Sequence, residues 1–114
     1  MGFSDNSKEY IDVDDALKRV GGNLNLYKKL LGRYIEGNHM AAFDDALGSG
    51  NMEEAAHLAH TIKGVSANLS LIKVMNVAAD LEQAIKNGGD YSASLEELKK
   101  AYNTTVEKIA EVTG

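Results

Sequence analysis

Apolar residues recur along this chain at spacings of three and four, in runs separated by short breaks of glycine, asparagine and serine, and no proline interrupts any run. That period belongs to helices with one buried face. Val13, Ala16, Leu17 and Val20 form the first run. Asp12 is placed to cap it, and Gly21-Gly22 to end it. Asn23 is placed to cap a long helix over 24–48, with an apolar set that includes Tyr27, Leu30, Leu31, Tyr34, Ile35, Phe43 and Leu47. Gly37-Asn38-His39 is weak helix in its middle, which predicts a bend. After Gly48-Ser49-Gly50, Asn51 caps a helix predicted over 52–69, and Ser70 marks a tight turn. A helix over 71–87 follows, striped by Val74, Ala78, Leu81 and Ile85 and closed by Asn87-Gly88-Gly89-Asp90. The last helix, over 92–112, turns Leu95, Leu98, Tyr102, Val106 and Ile109 inward, and its Glu96 and Lys100 form a favourable i, i+4 pair.

Four long helices joined by short breaks predict an all-α, antiparallel up-down-up-down four-helix bundle. The short additional N-terminal helix is expected to cover one end. Residues 1–10 are polar and without period, and read as a flexible N-terminal arm from which Phe3 and Tyr10 can pack back, leaving 11–114 as the bundle domain. At 114 residues the chain is about one domain, long enough to fold without staples. With no cysteine there are no disulfides, thiolate metal sites or cysteine catalysis. Seventeen acids against twelve bases give a net charge of −5, opposite to the basic stripe of a nucleic-acid binder. No apolar run approaches the 18 or so residues of a membrane span, so direct membrane insertion is not expected. The sequence starts without a signal-peptide pattern, and a cytoplasmic location is expected.

The helix over 52–69 carries the chemistry. At about 100° per residue, Leu58, Ile62, Val65 and Leu69 fall roughly opposite His60 and are predicted as its core face. Glu53, Ala56, His57, His60, Lys63, Gly64 and Ala67 then make an outward strip. Solvent-facing helical positions favour Glu, Lys or Gln, and a glycine at 64 costs about 1 kcal/mol relative to alanine. Two readings fit this strip: an ordinary surface histidine beside an accidental glycine, or a histidine kept clear for close approach by another macromolecule. Lys63, one turn from His60 on the same side, favours the second. Neutral imidazole is nucleophilic near pH 7, its ordinary pKa being about 6.5, and an ammonium beside it can pair with a phosphoryl group.

Ala59-His60-Thr61-Ile62-Lys63-Gly64-Val65-Ser66 resembles the His-x-x-Lys-Gly-x-Ser/Ala signature of histidine-containing phosphotransfer (HPt) domains of two-component phosphorelays. The resemblance extends over about 11–112, through Asp12 to Leu31 with Gly21-Gly22 before a Leu-rich helix, and through Leu81-Glu82. Ser70 departs from the glycine usual in the family at that turn, away from the phosphorylation motif. The resemblance implies that His60 accepts a phosphoryl group from a receiver-domain aspartate and passes it to another receiver. It implies that Lys63 stabilises the phosphate and that Gly64 leaves room for the docking receiver. The implied partners are response-regulator receiver domains and a hybrid sensor histidine kinase. The chain itself is then a non-enzymatic intermediate without autokinase activity and without a cofactor of its own, Mg²⁺ being supplied by the receiver. A monomer is expected. No Gly-rich phosphate loop is present, and Gly88-Gly89 reads as a helix stop.

Glu82 admits two readings as well. If the helices on either side of Ser70 are antiparallel, position 82 lies near the level of position 60. A carboxylate there can orient the His60 ring through Nδ1–H, or it can be a solvated glutamate. Ser66, toward the helix flank, is expected to pack or to bond back to a carbonyl. Glu53, His57 and His60 share a spacing that suits a divalent metal, but His39 lies elsewhere and the Glu-x-x-His pattern of di-iron bundles is missing, so no metal is expected. A non-phosphorylated helical adaptor or interaction bundle is the alternative function, and a metal- or haem-binding bundle the third.

Overall fold

Short polar side chains start three of the helices where the sequence locates them. Asp12 Oδ1 accepts from the Asp15 N–H at 3.1 Å, Asn23 Oδ1 from Leu26 at 3.0 Å, and Asn51 Oδ1 from Glu54 at 3.1 Å. Each satisfies one of the donors that a first helical turn leaves free. In the computed structural model, which describes residues 10–37 and 39–113, the helices are α1 (Val13–Arg19), α2 (Leu24–Glu36), α3 (His39–Gly48), α4 (Met52–Asn68), α5 (Ile72–Lys86) and α6 (Ser92–Thr113). The arm expected over 1–10 lies outside the described residues except for Tyr10, which is half-buried.

The helix expected over 24–48 is two helices. α2 ends on Gly37, whose N–H still bonds Arg33 O at 3.0 Å; Asn38, in the middle of the expected bend, lies outside the described residues. His39 folds its ring back over Gly37, where an added Cβ would meet Nε2 at 3.2 Å. That ring stacks at a tilt on Tyr34, centroids 5.7 Å apart. Glycine thus lends both a weak helical link and the clearance for the ring.

Two apolar layers give the direction of each helix. One holds Tyr27, Leu31 and Tyr34 of α2, Leu69 and Leu71 of the α4–α5 turn, and Ile109 of α6. The other holds Phe43 of α3, Ala55, Ala59 and Ile62 of α4, Val77, Ala78 and Leu81 of α5, and Leu98 and Ala101 of α6. The chain therefore rises through α2 and α3, descends α4, rises along α5 and descends α6. α6 packs back on α2 and closes the ring. This is the expected up-down-up-down bundle. Ile35, assigned to the apolar set of α2, stays exposed.

α1 covers the end at the α4–α5 turn. The Asp12 N–H donates to Ser70 O at 3.0 Å, and Ser70 Oγ donates to Asp15 Oδ2 at 2.7 Å. The turn itself is a Schellman closure: the Leu71 N–H bonds Ser66 O at 2.8 Å and the Ser70 N–H bonds Ala67 O at 3.1 Å. It puts Ser70 at φ 57°, in left-handed backbone that glycine takes without strain. Ser70 is fully buried and its hydroxyl is bonded, which ties this strained position to α1.

The buried face of α4 is rotated from the expected one. Ala55, Ala59, Ile62 and Ser66 are its centre, while Leu58 and Val65 are half-buried at the margins. Ala56, assigned to the outward strip, is buried, and Ala67 is half-buried. The physical reason is that α4 packs between α3 and α5. Alanines let both neighbours come close, and the larger Leu58 and Val65 fill the wider edges of the contact.

Candidate functional site

The rotation of α4 leaves His60 near the middle of the outer face, its side chain 61% exposed. α5 runs antiparallel beside it and brings Glu82 alongside. Glu82 follows buried Leu81 on a helix whose Ala78, Leu81 and Ile85 face the core, so its carboxylate is nearly buried, with 8% of the side chain exposed. Three donors converge on it. His60 Nδ1 lies 3.2 Å from Oε2 and 3.3 Å from Oε1. Lys63 Nζ lies 3.4 Å from Oε1, and Lys86 Nζ lies 2.8 Å from Oε2.

The bond to Lys86 is the strongest influence on the carboxyl, and His60 and Lys63 act in the same direction. Against the opposing effect of burial they hold the Glu82 pKa down from the usual 4.5 to about 2. Glu82 is therefore an anion at neutral pH. An ionised carboxylate only accepts hydrogen bonds, so the hydrogen sits on Nδ1 of His60 and the lone pair on Nε2. The glutamate is thus neither solvated nor free: it bonds the ring nitrogen that would orient His60.

Gly64 is exposed one turn beyond His60. Its backbone is ordinary right-handed helix, and a Cβ there would meet nothing within 4 Å. Among the described residues nothing requires a glycine at this position. An open groove of about 500 Å³ runs along the other side of the ring, lined by Met52, Ala56, His57, Ile85 and Lys86 as well as His60 and Glu82.

Other candidates fall outside this constellation. Ser66 is fully buried and its Oγ lies 3.0 Å from Tyr34 OH, so it packs, with a tyrosine as its partner. His39 belongs to a stack on Tyr34. Glu53, His57 and His60 share a helix, but among the described residues no three such side chains come together as a metal-binding group. Lys86 was not singled out from the sequence. Its only signal there is the i, i+4 relation to Glu82, which any exposed helix can show.

A family model described as the Hpt domain matches residues 37–111, more than half of the chain. The chain belongs to the Hpt domain family. Hpt domains are phosphotransfer intermediates of two-component signalling, not kinases, and they interact with receiver and kinase domains of phosphorelays. The matched stretch of this Hpt domain holds His60, Lys63, Gly64, Glu82 and Lys86. No curated protein and no solved structure matches the chain. Among the described residues no helix is long and apolar enough to cross a membrane.

Proposed function

We propose that this Hpt domain relays a phosphoryl group through Nε2 of His60, taking it from a receiver-domain aspartate and passing it to the aspartate of another receiver. The observation that carries this reading is the bond from Nδ1–H to the buried Glu82 anion. It holds one tautomer, and it leaves the nucleophilic nitrogen on the solvent side of an exposed ring.

The Nε2 lone pair attacks phosphorus as the bond to the receiver's carboxylate oxygen breaks, and the carboxylate leaves with the electron pair. The ring becomes cationic, with its hydrogen still on Nδ1, and the charge develops against Glu82. Lys63, one turn away, pairs with the phosphoryl oxygens. Gly64 lets the receiver backbone close over the ring. Mg²⁺ supplied by the receiver would neutralise charge on the phosphoryl oxygens, while this chain contributes His60, Lys63 and Gly64. The same steps in reverse deliver the group to the next receiver. The sequence carries no Gly-rich phosphate loop, and in this reading the domain acts without autokinase activity, as a cytoplasmic monomer whose upstream partner is a hybrid sensor kinase.

His60→Gln tests the reading. The variant should fold as the parent does, since exposed substitutions usually change stability by within about 0.5 kcal/mol. It should acquire no acid-labile, base-stable phosphate from a phosphorylated receiver. Full labelling of His60→Gln would overturn the assignment and turn attention to His57.

A further inference from the structure

Two ammonium groups and an imidazole N–H surround a single carboxylate at Glu82. That is one cation more than the anion needs, on a chain whose net charge is −5. The two lysines are not equivalent. Lys86 makes the shorter contact, 2.8 Å against 3.4 Å for Lys63. It also sits on the same helix as Glu82, with the glutamate N-terminal to the lysine, the better order for an i, i+4 pair. Its bond therefore does not depend on how α4 and α5 are seated. Lys63 reaches across from α4, the helix that carries His60, and its side chain is 35% exposed.

We propose that Lys86 is a positioning residue for phosphoryl transfer: it clamps Glu82 so that the carboxylate keeps Nδ1–H of His60 while Lys63 is released to the incoming phosphoryl group. The proposal rests on His60 being the phosphoacceptor. A phosphoryl group on Nε2 is a second anion within reach of one helical turn, and Lys63 is the cation on the acceptor's own helix. When Lys63 turns to that group, Glu82 keeps two donors, Nδ1–H and Lys86. Without Lys86 it would keep one, and the open groove beside it would offer the carboxylate water in place of the ring. The carboxylate would then turn outward and release the ring, and the Nδ1–H tautomer would no longer be enforced. The excess positive charge is thus matched once the phosphoryl group is present. His57 and Glu53 of α4 also line the groove, but neither is bonded to Glu82.

The test uses the whole chain without a partner. Imidazole ¹⁵N spectra are recorded about two pH units above the ordinary histidine pKa of about 6.5, where rings are neutral. With Lys63→Ala standing in for the released lysine, the chain should still show His60 as the Nδ1–H tautomer, Lys63→Ala/Lys86→Met should shift it toward Nε2–H, and Lys63→Ala/Lys86→Arg should restore it. Labelling with phosphoramidate then measures the nucleophile free of docking. The Nε2 lone pair forms the new bond to phosphorus as the phosphorus–nitrogen bond of the reagent breaks, and ammonia leaves with that electron pair. Lys86→Met should label about two- to tenfold more slowly, the rate equivalent of one net hydrogen bond, and Lys86→Arg should recover most of the loss. An unchanged tautomer in Lys63→Ala/Lys86→Met overturns the role of Lys86 and leaves His60 as the acceptor. Labelling of His60→Gln at the parent rate overturns the His60 assignment instead, whatever the tautomer.

Discussion

Gly64→Gln should make this domain more stable and a poorer phosphotransfer partner. Glycine inside a helix costs about 0.8–1.0 kcal/mol relative to alanine, and glutamine is close to alanine on that scale. Among the described residues a Cβ at 64 meets nothing within 4 Å, so no clash there offsets the gain. The net stabilisation should be about 0.5–1 kcal/mol, a rise in Tm of roughly 2–5 °C for a domain this size. The transfer effect has the opposite sign. A receiver must bring its aspartyl phosphate to about 3–3.5 Å from Nε2, and a misplacement of about 1 Å can slow such a step a hundredfold. A glutamine side chain one turn from His60 stands in that path, so transfer should slow at least about tenfold. Gly64→Ala should show the same gain in stability with a smaller loss of rate. The assay pairs thermal unfolding with stopped-flow transfer from a phosphorylated receiver, and adds phosphoramidate labelling as a donor too small to meet the side chain. Receiver transfer at the parent rate in a stabilised Gly64→Gln would refute the clearance argument. A loss equal for receiver and phosphoramidate would show that the substitution disturbs His60 itself.

Three further outcomes are expected. Lys63→Ala should slow receiver transfer about ten- to hundredfold, the loss of one charge-assisted contact, while calorimetric affinity for the unphosphorylated receiver changes little; impaired binding at an unchanged rate would make Lys63 a docking residue. Because the Glu82 pKa is lowered on folding, from 4.5 to about 2, its contribution to stability is fully present above about pH 4.5 and is lost as pH falls toward 2. Urea unfolding across that range should show a shallower acid loss for Glu82→Gln than for the parent, and identical slopes would show that the carboxyl is not held by its three donors. Ser70→Gly and Ser70→Ala both lose the hydroxyl bond to Asp15, but only glycine relieves the positive φ. The glycine variant should be the more stable of the two by about 1 kcal/mol in denaturant unfolding, and equal stabilities would show that the turn relaxes.

What the sequence determined by itself was local. Asp12, Asn23 and Asn51 are legible as caps because a cap needs only a side chain and the amide three residues on, and each makes that bond. Helical period, glycine breaks and short connections likewise specify the bundle and the order of its helices. His60, Lys63 and Gly64 are legible together because they lie within two turns of one helix. Tertiary packing decided the rest. The period on α4 could not say that alanines rather than Leu58 and Val65 form the centre of its buried face, because burial depends on how closely α3 and α5 approach. The His39 ring stacks on Tyr34 over the clearance that Gly37 leaves, a contact that no helical period reports. Glu82 reads equally well as a solvated or an orienting carboxylate until α5 is laid against α4. Only then do His60, Lys63 and Lys86, from two helices, meet on one buried anion, because electrostatic contacts are set by distance and burial in space and not by separation along the chain.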